Sequence, residues 1–558
     1  MSKIKFCALG GLGENGKNMY LLEIDEKIFV LDAGLKFPSV DLYGVDTVYP
    51  DITYLVENKK RVQGIFLTHG HEEHIGAIPE LLKNMDVGVF GSHFTISLVE
   101  LELADKGMDF TKYRLYRMSE DKVLKFGDIS VSFYRTTHSI PESLGISIDT
   151  NDGAIVYAPD FTFSSHSDPK YRTSFVKLIE IAKKNVLAVL AESLGTSNIN
   201  RVSDDYTLNH TVNEVLAHSK RVIFTMYSSD LDRIQKIINL SVANNRRVAI
   251  IGRKVQKIIN IGMNTGYLKV PDKNLVNLKF RDELIDNNDE DLVVIVTGNR
   301  HEPFFGVQRM ALGQDRLIKL NENDHVVIVS PPVFGTERIA TNAIDIINKV
   351  GAKVTTISKN SLRSSHADSE DLKMLYQMLN PKYIIPVIGE YRHQYMHKNI
   401  ALEMGYEEKN IIMLDNGEQI TFEKGVLNEE KEKISAGDVL VDGSIIGDIN
   451  ELVLQDRERL SQDGAIVIAC FVDLETRKIV SDIAVETKGF MMEEQVEEIM
   501  DDLIIYVRKL ILQFLKTSRI DLDNFHEEFK KDMKKYLQKN TDKMPIVIPG
   551  IIDIREKE

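Results

Sequence analysis

The 558-residue sequence predicts an α/β protein of several domains, in which one domain is inserted into another and a small α+β domain follows. Three observations support this fold class. The first 190 or so residues read as short strands separated by turns, and the stretch from about 210 to 350 alternates strands with helices. A charged segment punctuated by glycine, at 424–438, then precedes the last part of the chain.

The first part of the chain contains several strands that stop at polar residues. The runs QGIFLTHG, ISVSFYRTTH, GAIVYAPDF and NVLAVLAES have strand length and stop at or beside His69, His138, Asp160 and Glu192. Polar residues at strand ends can be presented at one edge of a sheet while its middle stays packed. We therefore expect these side chains to carry the chemistry of this domain.

Between about 210 and 350 the sequence has the pattern of a βαβ unit. In RVIFTMYSSDLDRIQKIINLSVANNRRVAIIGR, an apolar strand precedes a serine that can cap a helix, and a second strand follows the helix. Ile234, Ile237 and Ile238 lie on one face of that helix. DLVVIVTGN and DHVVIVSPP continue the pattern, which predicts a separate α/β domain inserted into the first.

The end of the chain is expected to form a small α+β domain. AIVIACFVD reads as a strand, Val496–Leu515 has apolar residues three and four apart, and MPIVIPGIIDI reads as a closing strand. The predicted boundaries are 1–205 and 361–425 for the interrupted first domain, 206–360 for the inserted domain, 426–445 for a linker and 446–558 for the C-terminal domain.

Composition narrows the classes of function. A formal charge of −15 argues against a protein that coats nucleic acid nonspecifically, because such binding depends on lysine and arginine neutralising phosphates. The two cysteines, Cys7 and Cys470, cannot build a disulfide framework and suit a reducing compartment. Since no apolar leader and no apolar stretch of membrane-spanning length is found, we expect a cytoplasmic protein that does not enter a membrane.

The stretch LTHGHEEHIGAIP concentrates metal-binding side chains. His69, His71, Glu73 and His74 lie within six positions, which is improbable by chance in a chain with 14 histidines among 558 residues. Imidazole and carboxylate groups suit zinc and manganese. His69 and His71 can bind one ion at a strand end, and Glu73 and His74 could reach a second ion. The less favoured alternative is a set of surface histidines in a loop.

The stretch GLGENG, Gly11 to Gly16, spells the GxGxxG pattern of dinucleotide-binding proteins. That pattern requires a following helix whose N-terminus holds the pyrophosphate. Here NMYLLEIDEKIFVLDAG reads as two strands instead. We therefore expect a tight turn and no nucleotide site.

The histidine cluster resembles the HxHxDH signature of the metallo-β-lactamase superfamily, and nearly the whole chain resembles one family of its β-CASP branch, ribonuclease J. The blocks that carry the resemblance are ALGGLGENGKNMYLLE, VLDAGLKFP, GVDTVYPDITYL, HGHEEHIGAIPELL, HSIPES, PDF, GEYRH, DGSIIGDI and KGF. They occur in the order in which the family has them. The resemblance implies an αββα metallo-β-lactamase sandwich with an inserted β-CASP domain.

The resemblance also implies up to two divalent cations, zinc or manganese, with magnesium as a further candidate. The matching residues are His69, His71 and His138 for the first ion, Asp160 for a carboxylate that bridges both ions, His74 and Glu73 for the second ion, and Asp32 for a carboxylate that steadies the site. Two-metal sites position a hydroxide for attack on phosphorus and stabilise charge on the phosphate oxygens. The implied reaction is hydrolysis of a phosphodiester bond.

Three further motifs match the β-CASP part of the family. Glu192 matches an acidic motif in which the family more usually has aspartate, and His366 in RSSHADSEDLK matches a histidine near the scissile phosphate that acts as a proton donor. Ser364 and Ser365 resemble a short phosphate-gripping stretch. The resemblance thus implies that Asp160, Glu192 and His366 are catalytic and that Ser364, Ser365 and His366 bind substrate. By itself, His366 would read as a histidine at a helix N-terminus.

Two departures from the family pattern concern the second ion. The family motif P-V-H-G-E is replaced by PVIGE, which puts Ile388 where a ligand histidine is expected. Glu73 replaces aspartate, which moves its carboxylate by about 1.5 Å. His393 is a weak candidate for a substitute ligand. TGNRHEP and PPVFGTE also differ from the family, so we expect altered walls of the RNA channel and a weakened second site.

These losses are similar to those of the second, J-two-type paralogue of the family. The resemblance implies a 5′-to-3′ exoribonuclease with endonucleolytic cleavage as a second mode, acting in rRNA maturation and in mRNA processing and decay. The implied partners are RNA, a J-one-type paralogue in a homodimer or hetero-oligomer, and components of an RNA degradosome. Hydrolysis is expected to be weak.

Two other functions stay open at this point. The chain could be a catalytically vestigial subunit that binds and stabilises an active paralogue, which Ile388 favours and the complete set of His69, His71, His138 and Asp160 disfavours. Hydrolysis of a small molecule, as in other members of the superfamily, is disfavoured by the inserted domain and by SSHADSE.

Overall fold

The computed structural model describes residues 2–38, 44–165, 168–198, 204–252, 255–276, 278, 289–333, 335–443, 445–447, 451–491, 493–517 and 521–555. These residues divide into two compact units. The first unit comprises 1–37 and 47–439, and the second comprises 38–46 and 440–558.

The strands and helices are numbered along the chain. Strands β1 to β28 are Lys3–Gly10, Leu12–Gly13, Met19–Ile24, Lys27–Leu31, Thr47–Pro50, Val62–Phe66, Val89–Ser92, Leu115–Met118, Val123–Phe126, Ile129–Arg135, Leu144–Thr150, Gly153–Ala158, Val186–Glu192, Val222–Tyr227, Arg247–Ile251, Leu292–Gly298, His325–Ile328, Lys353–Thr356, Tyr383–Val387, Gly389–Glu390, Glu418–Glu423, Val426–Lys433, Asp438–Asp442, Ile445–Ile446, Ala465–Asp473, Lys478–Ile479, Ala484–Lys488 and Ile546–Asp553. Helices α1 to α15 are Thr53–Glu57, Glu72–Ile75, Ile78–Asn84, His93–Asp105, Phe175–Ala182, Tyr206–His218, Leu231–Ala243, Val255–Asn264, Glu302–Ala311, Glu337–Val350, Ser369–Leu379, Tyr391–Glu403, Glu451–Asp463, Glu493–Leu515 and Leu522–Thr541.

Two sheets packed face to face form the centre of the first unit. One has the strand order β22-β21-β1-β3-β4-β6-β7-β8, and the other has the order β19-β13-β12-β11-β10-β9. Alternate residues of both sheets, such as Phe6, Phe29, Phe133 and Leu190, meet in one buried cluster. Helices α5, α11 and α12 cover the outer face of the second sheet, and α4 packs beside β7 and β8. This is the αββα sandwich that the family resemblance implies.

A separate parallel sheet interrupts the sandwich. Its strand order is β15-β16-β14-β17-β18, all pairs are parallel, and helices such as α9 and α10 pack on it. The interrupted strands β13 and β19 are parallel neighbours, with Glu192 opposite Val387. The two strands that flank the insertion in sequence are therefore neighbours at one side of the same sheet. Helix α7 is capped by Asp230, whose side chain accepts from Arg233 N at 3.0 Å, and not by the serine we predicted.

The segment 426–445, predicted to be a linker, differs from that expectation. Val426–Lys433 forms β22, which pairs with β21 at the edge of the eight-stranded sheet. The charged sequence VLNEEKEK is compatible with either structure, because charged side chains also protect an exposed edge strand from pairing with other chains.

The second unit has the α+β composition that the sequence predicts. Strands β26, β25 and β27 are antiparallel neighbours, β28 runs parallel to β25, and α14 and α15 cover one face. The rings of Phe514 and Phe525 stack between the two helices, with their centroids 4.0 Å apart. No helix in the part of the chain that the structure describes has both the length and the apolar character needed to cross a membrane.

Candidate metal centre and catalytic site

The candidate site lies at one edge of the sandwich, where several strands stop. His69 follows β6, His138 follows β10, Asp160 follows β12, and Glu192 is the last residue of β13. Because β12 and β13 are parallel neighbours, their carboxyl ends place Asp160 and Glu192 side by side. The polar strand ends singled out in the sequence thus lie together in the fold.

His69, His71, His138 and Asp160 present ligand atoms that all lie within 4.8 Å of one another. His71 Nδ1 is 3.1 Å from His69 Nε2 and 3.2 Å from His138 Nε2. Asp160 Oδ2 is 3.5 Å from His69 Nε2 and 3.6 Å from His138 Nε2. Ring nitrogens and a carboxylate that converge in this way fit a divalent cation such as zinc or manganese.

The outer nitrogens of the three imidazole rings each contact an oxygen. His69 Nδ1 lies 3.0 Å from Thr68 Oγ1, His71 Nε2 lies 3.2 Å from the Ser229 carbonyl, and His138 Nδ1 lies 2.8 Å from the Ser365 carbonyl. A ring that donates its outer N–H keeps an unprotonated nitrogen directed at the centre. The three contacts therefore hold the rings in orientations that a metal ion could use.

The electrostatic environment also keeps two of these rings neutral. Burial, together with the neighbouring imidazoles, lowers the pKa of His69 well below its usual range. Burial likewise lowers the pKa of His138 well below its usual range, although Asp160 opposes the shift. Since a metal ligand must be an unprotonated imidazole, the cluster is prepared for an ion at neutral pH.

Asp32 lies behind the cluster and is fully buried. Its carboxylate accepts hydrogen bonds from Thr68 N at 2.8 Å, from the Tyr157 hydroxyl at 2.8 Å and from the Thr68 hydroxyl. His74 Nδ1 donates to it at 2.8 Å. Asp32 is therefore bonded to residues that carry or adjoin the cluster, and its role in steadying the site stays a prediction from the resemblance.

The residues expected to bind a second ion are arranged differently. His74 Nε2 lies 3.1 Å from the Asn18 side-chain nitrogen and 3.6 Å from Asp160 Oδ2. Burial opposes protonation of His74, but Asp32 and Asp160 outweigh it and raise the pKa to about 10. Among the residues that the structure describes, neither His74 nor Glu73 belongs to a group of three or more ligand atoms with metal-site spacing.

Ile388 adds no ligand at this position. It is buried in the sandwich core, and its φ of 55° is in the left-handed region, which β-branched residues rarely adopt. Its N–H points to the Gly11 carbonyl at 3.1 Å and to the Tyr20 hydroxyl at 3.2 Å. His393, the suggested substitute, lies on α12 outside the described ligand groups.

A second ligand group consists of Asp160, Glu192 and His366. Glu192 Oε1 accepts from Phe161 N at 2.7 Å and Ala367 N at 2.9 Å, and Oε2 lies 2.8 Å from His366 Nδ1. Burial raises the pKa of Glu192 to about 7, although His366 opposes the shift. Burial lowers the pKa of His366, but Glu192 and Asp160 outweigh it and raise the value to about 9.

Ser364 and Ser365 lie beside this group, next to a polar pocket. Ser364 Oγ donates to the His366 carbonyl at 2.8 Å and accepts from His366 N at 3.1 Å, which shapes the turn that carries the histidine. Both serines line the pocket together with His138, Ser139, Lys236 and Arg363. Lys236 and Arg363 were not among the predicted site residues. Arg363 comes directly before the two serines in the sequence, and this position was the signal that could have indicated it.

The charges in this pocket are paired. Arg363 lies 2.5 Å from Asp232, and Lys236 lies 2.7 Å from the same carboxylate and 2.6 Å from Asp205. Lys236 and Asp232 come from the inserted domain and Arg363 from the chain that returns to the sandwich. The pocket is thus built by both parts of the first unit.

Family models match four segments of the chain. They are the metallo-beta-lactamase superfamily over residues 12–172, the ribonuclease J beta-CASP domain over 219–347, the Zn-dependent metallo-hydrolase RNA specificity domain over 352–413 and the ribonuclease J C-terminal domain over 452–554.

Curated relatives match over the full length. A protein of Streptococcus pyogenes serotype M3 named ribonuclease J 2 is 35% identical over 557 residues, which is 100% of both chains. A protein of the same name from Staphylococcus aureus strain MRSA252 is 32% identical over 554 residues, covering 99% of this chain and 98% of the relative.

Among solved structures, a protein of unknown function from Enterococcus faecalis V583 superposes with a TM-score of 0.53 at 16% identity. It covers 75% of this chain and 100% of its own, and shows similarity of fold alone. The identity over the full length of the curated relatives, the ribonuclease J domains in order and the imidazole–carboxylate cluster lead to one conclusion: the chain belongs to the ribonuclease J family of metal-dependent ribonucleases.

Proposed function

We propose that this chain hydrolyses RNA from the 5′ end and also cleaves it internally, at a rate attenuated by an incomplete second metal position. The observation that carries the proposal is the convergence of His69, His71, His138 and Asp160 beside the pocket of Ser364 and Ser365. The direction of cleavage follows from the family resemblance. We propose zinc or manganese as the ion, with magnesium as a weaker substitute, because the donor set is rich in imidazole.

The chemistry is shared between the ion and the chain. When bound to the imidazole cluster, a divalent cation supplies Lewis acidity at a phosphate oxygen and lowers the pKa of a water. Asp160 Oδ1 is buried and has no hydrogen-bond partner in the described part of the chain, so it can accept a proton from the attacking water. His366, held by Glu192, protonates the leaving oxygen.

Substrate binding is assigned to the pocket beside the cluster. The Ser365 hydroxyl can donate to a phosphate oxygen, and the Ser364 hydroxyl can do so by exchanging its bond to the His366 carbonyl. The next residue, His366, has a side chain that is one-third exposed. Arg363 and Lys236 bring positive charge to this pocket, and Asp205 and Asp232 balance it. Because the net charge of the chain is −15, phosphate recognition is assigned to the hydroxyl groups and the ion and not to an excess of positive charge.

The proposed attenuation rests on Ile388 and Glu73. Ile388 has no donor atom, and Glu73 stands outside the described ligand groups. Changing Ile388→His together with Glu73→Asp is therefore expected to raise turnover of a 5′-labelled RNA. Unchanged turnover in this double variant would indicate that the altered channel motifs TGNRHEP and PPVFGTE, and not the second metal position, limit the rate.

We further propose that the chain acts in the cytoplasm in rRNA maturation and in mRNA processing and decay, with a J-one-type paralogue or a second copy of itself, and with components of an RNA degradosome. The test is a nuclease assay on 5′-labelled RNA with manganese, magnesium or zinc, with and without a paralogue. Mononucleotides released first from the 5′ end are the expected product. Release from the 3′ end would contradict the proposed direction.

The second candidate is a structural subunit with a vestigial site. Ile388, which lacks a ligand atom and is packed in the core, favours it. The preserved ring orientations at His69, His71 and His138 favour the enzyme, because a scaffold would not need them.

A further inference from the structure

We propose that this chain binds its second cation between Asp160, Glu192 and His366, displaced from the position of His74 and Glu73. The proposal rests on the proposed function only in that a first ion occupies the cluster of His69, His71, His138 and Asp160. It assigns a location to the second ion, which the family resemblance places elsewhere.

The geometry of the three side chains supports a cation site. One ligand atom from each lies within 4.8 Å of the others. His366 Nδ1 is 2.8 Å from Glu192 Oε2 and 3.8 Å from Asp160 Oδ1. Bonds of about 2.0–2.2 Å from a zinc-like ion to nitrogen and oxygen put neighbouring ligands roughly 3–3.5 Å apart. The observed separations lie on either side of that range, so small shifts of the side chains would bring the three ligand atoms to the distances that an ion requires.

An unpartnered oxygen points to a missing ligand. Asp160 is 2% exposed, and its Oδ1 has no hydrogen-bond partner among the residues that the structure describes. A buried carboxylate oxygen without a donor is unfavourable unless something satisfies it. Its neighbour His366 Nδ1 is too distant for a hydrogen bond, and a cation between them would satisfy Oδ1.

The position of Asp160 allows it to serve two ions. Its Oδ2 faces His69, His74 and His138, whereas its Oδ1 faces His366. Glu192 is also oriented to act as a ligand. Its Oε1 accepts hydrogen bonds from two backbone N–H groups, which leaves Oε2 directed at the site. One-third of the His366 side chain is exposed, so a water or a phosphate oxygen can complete the coordination.

The position of His74 and Glu73 is less suited to an ion. The inner nitrogen of His74, Nε2, faces the Asn18 amide nitrogen at 3.1 Å, and the Ile388 side chain supplies no ligand. At the proposed site, binding of the cation displaces the proton from His366 Nδ1 to solvent. Cation binding at this site is thus an alternative to proton acceptance by Asp160 Oδ1 and to proton donation by His366.

The test counts ions and locates them. Manganese is titrated into metal-free protein, free ion is followed by electron paramagnetic resonance, and bound metal is measured by plasma mass spectrometry. We compare the wild type with Glu192→Gln, His366→Gln and the matched control Glu73→Gln. Glu192→Gln retains an oxygen for the two backbone N–H groups, and circular dichroism checks that each variant is folded.

The proposal expects two ions in the wild type and in Glu73→Gln, and one ion in both Glu192→Gln and His366→Gln. Anomalous diffraction from manganese should place the second ion beside His366. A single ion in the saturated wild type, or a second ion that Glu73→Gln removes and Glu192→Gln keeps, would overturn it. A one-ion chain that still cleaves RNA would leave the proposed function standing, whereas metal binding without RNA cleavage would contradict only that function.

Discussion

His366 Nδ1 lies 2.8 Å from Glu192 Oε2, although 174 residues and the whole inserted domain separate the two residues in the chain. The same carboxylate accepts from the backbone of Ala367 and of Phe161, the residues after His366 and Asp160. Glu192 thus fixes the distance between the ends of the sandwich strands and the turn that carries His366.

This relationship leads to a prediction for His366→Gln. Loss of the proton donor should lower RNA cleavage by about 10²–10⁴-fold, the usual contribution of a general acid. Occupancy of the imidazole cluster should not change, because His366 is not one of its ligands. The rate of RNA cleavage and the amount of bound manganese are measured in the same samples, with one equivalent of manganese per chain. An unaltered rate would remove His366 from the mechanism.

His71→Ala combined with His138→Ala should abolish tight metal binding. The double variant loses two of the four converging ligand atoms. Removing a residue that only hydrogen-bonds to a metal ligand typically lowers activity by roughly 10–100-fold, and we expect the double variant to lose more RNA cleavage than that. The measurement is RNA processing by the variant alone and in complex with a paralogue. Processing at the wild-type rate by the complex would favour the scaffold function.

Thr68→Val tests the support behind the cluster. The Thr68 hydroxyl accepts from His69 Nδ1 and donates to Asp32, and valine keeps its shape without either bond. We expect metal affinity to fall by about 10–100-fold, as for other outer partners of metal ligands. Thr68→Ser, which keeps the hydroxyl, is the matched control and should bind metal nearly as the wild type does.

His397 should make stability depend on pH. It is fully buried between the Tyr376 hydroxyl and Ser193 Oγ, and burial lowers its pKa to about 3. The folded state keeps it neutral, whereas the unfolded chain takes up a proton below about pH 6.5. Its contribution to stability is therefore complete above that pH and is lost as the pH falls toward 3.

The matching measurement is urea unfolding at pH 7 and pH 5. By this linkage, His397 alone should account for about 2 kcal/mol of the loss in free energy of unfolding between these values. His397→Gln should show a loss smaller by that amount. His210→Gln, at an exposed histidine, is the control and should retain the wild-type pH dependence. Equal pH dependence in all three proteins would show that His397 titrates normally.

Much of the fold could be read from the sequence, because periodicity and strand ends are local properties. The strands that stop at His69, His138, Asp160 and Glu192 were visible as apolar runs, and the order of family blocks implied the sandwich and its insertion. The interpretation of 426–445 as a linker failed, since a charged edge strand and a charged linker have the same composition.

By itself, the sequence determined which metal-binding side chains are present and which one is missing, because the side chain of Ile388 has no metal-binding atom in any conformation. Only the tertiary structure decided where the remaining groups point. The carbonyls of Ser229 and Ser365 orient His71 and His138 from segments far along the chain. Within the described ranges, Asp160 Oδ1 is left without a hydrogen-bond partner. Such relationships depend on how distant segments pack, and no local pattern encodes them.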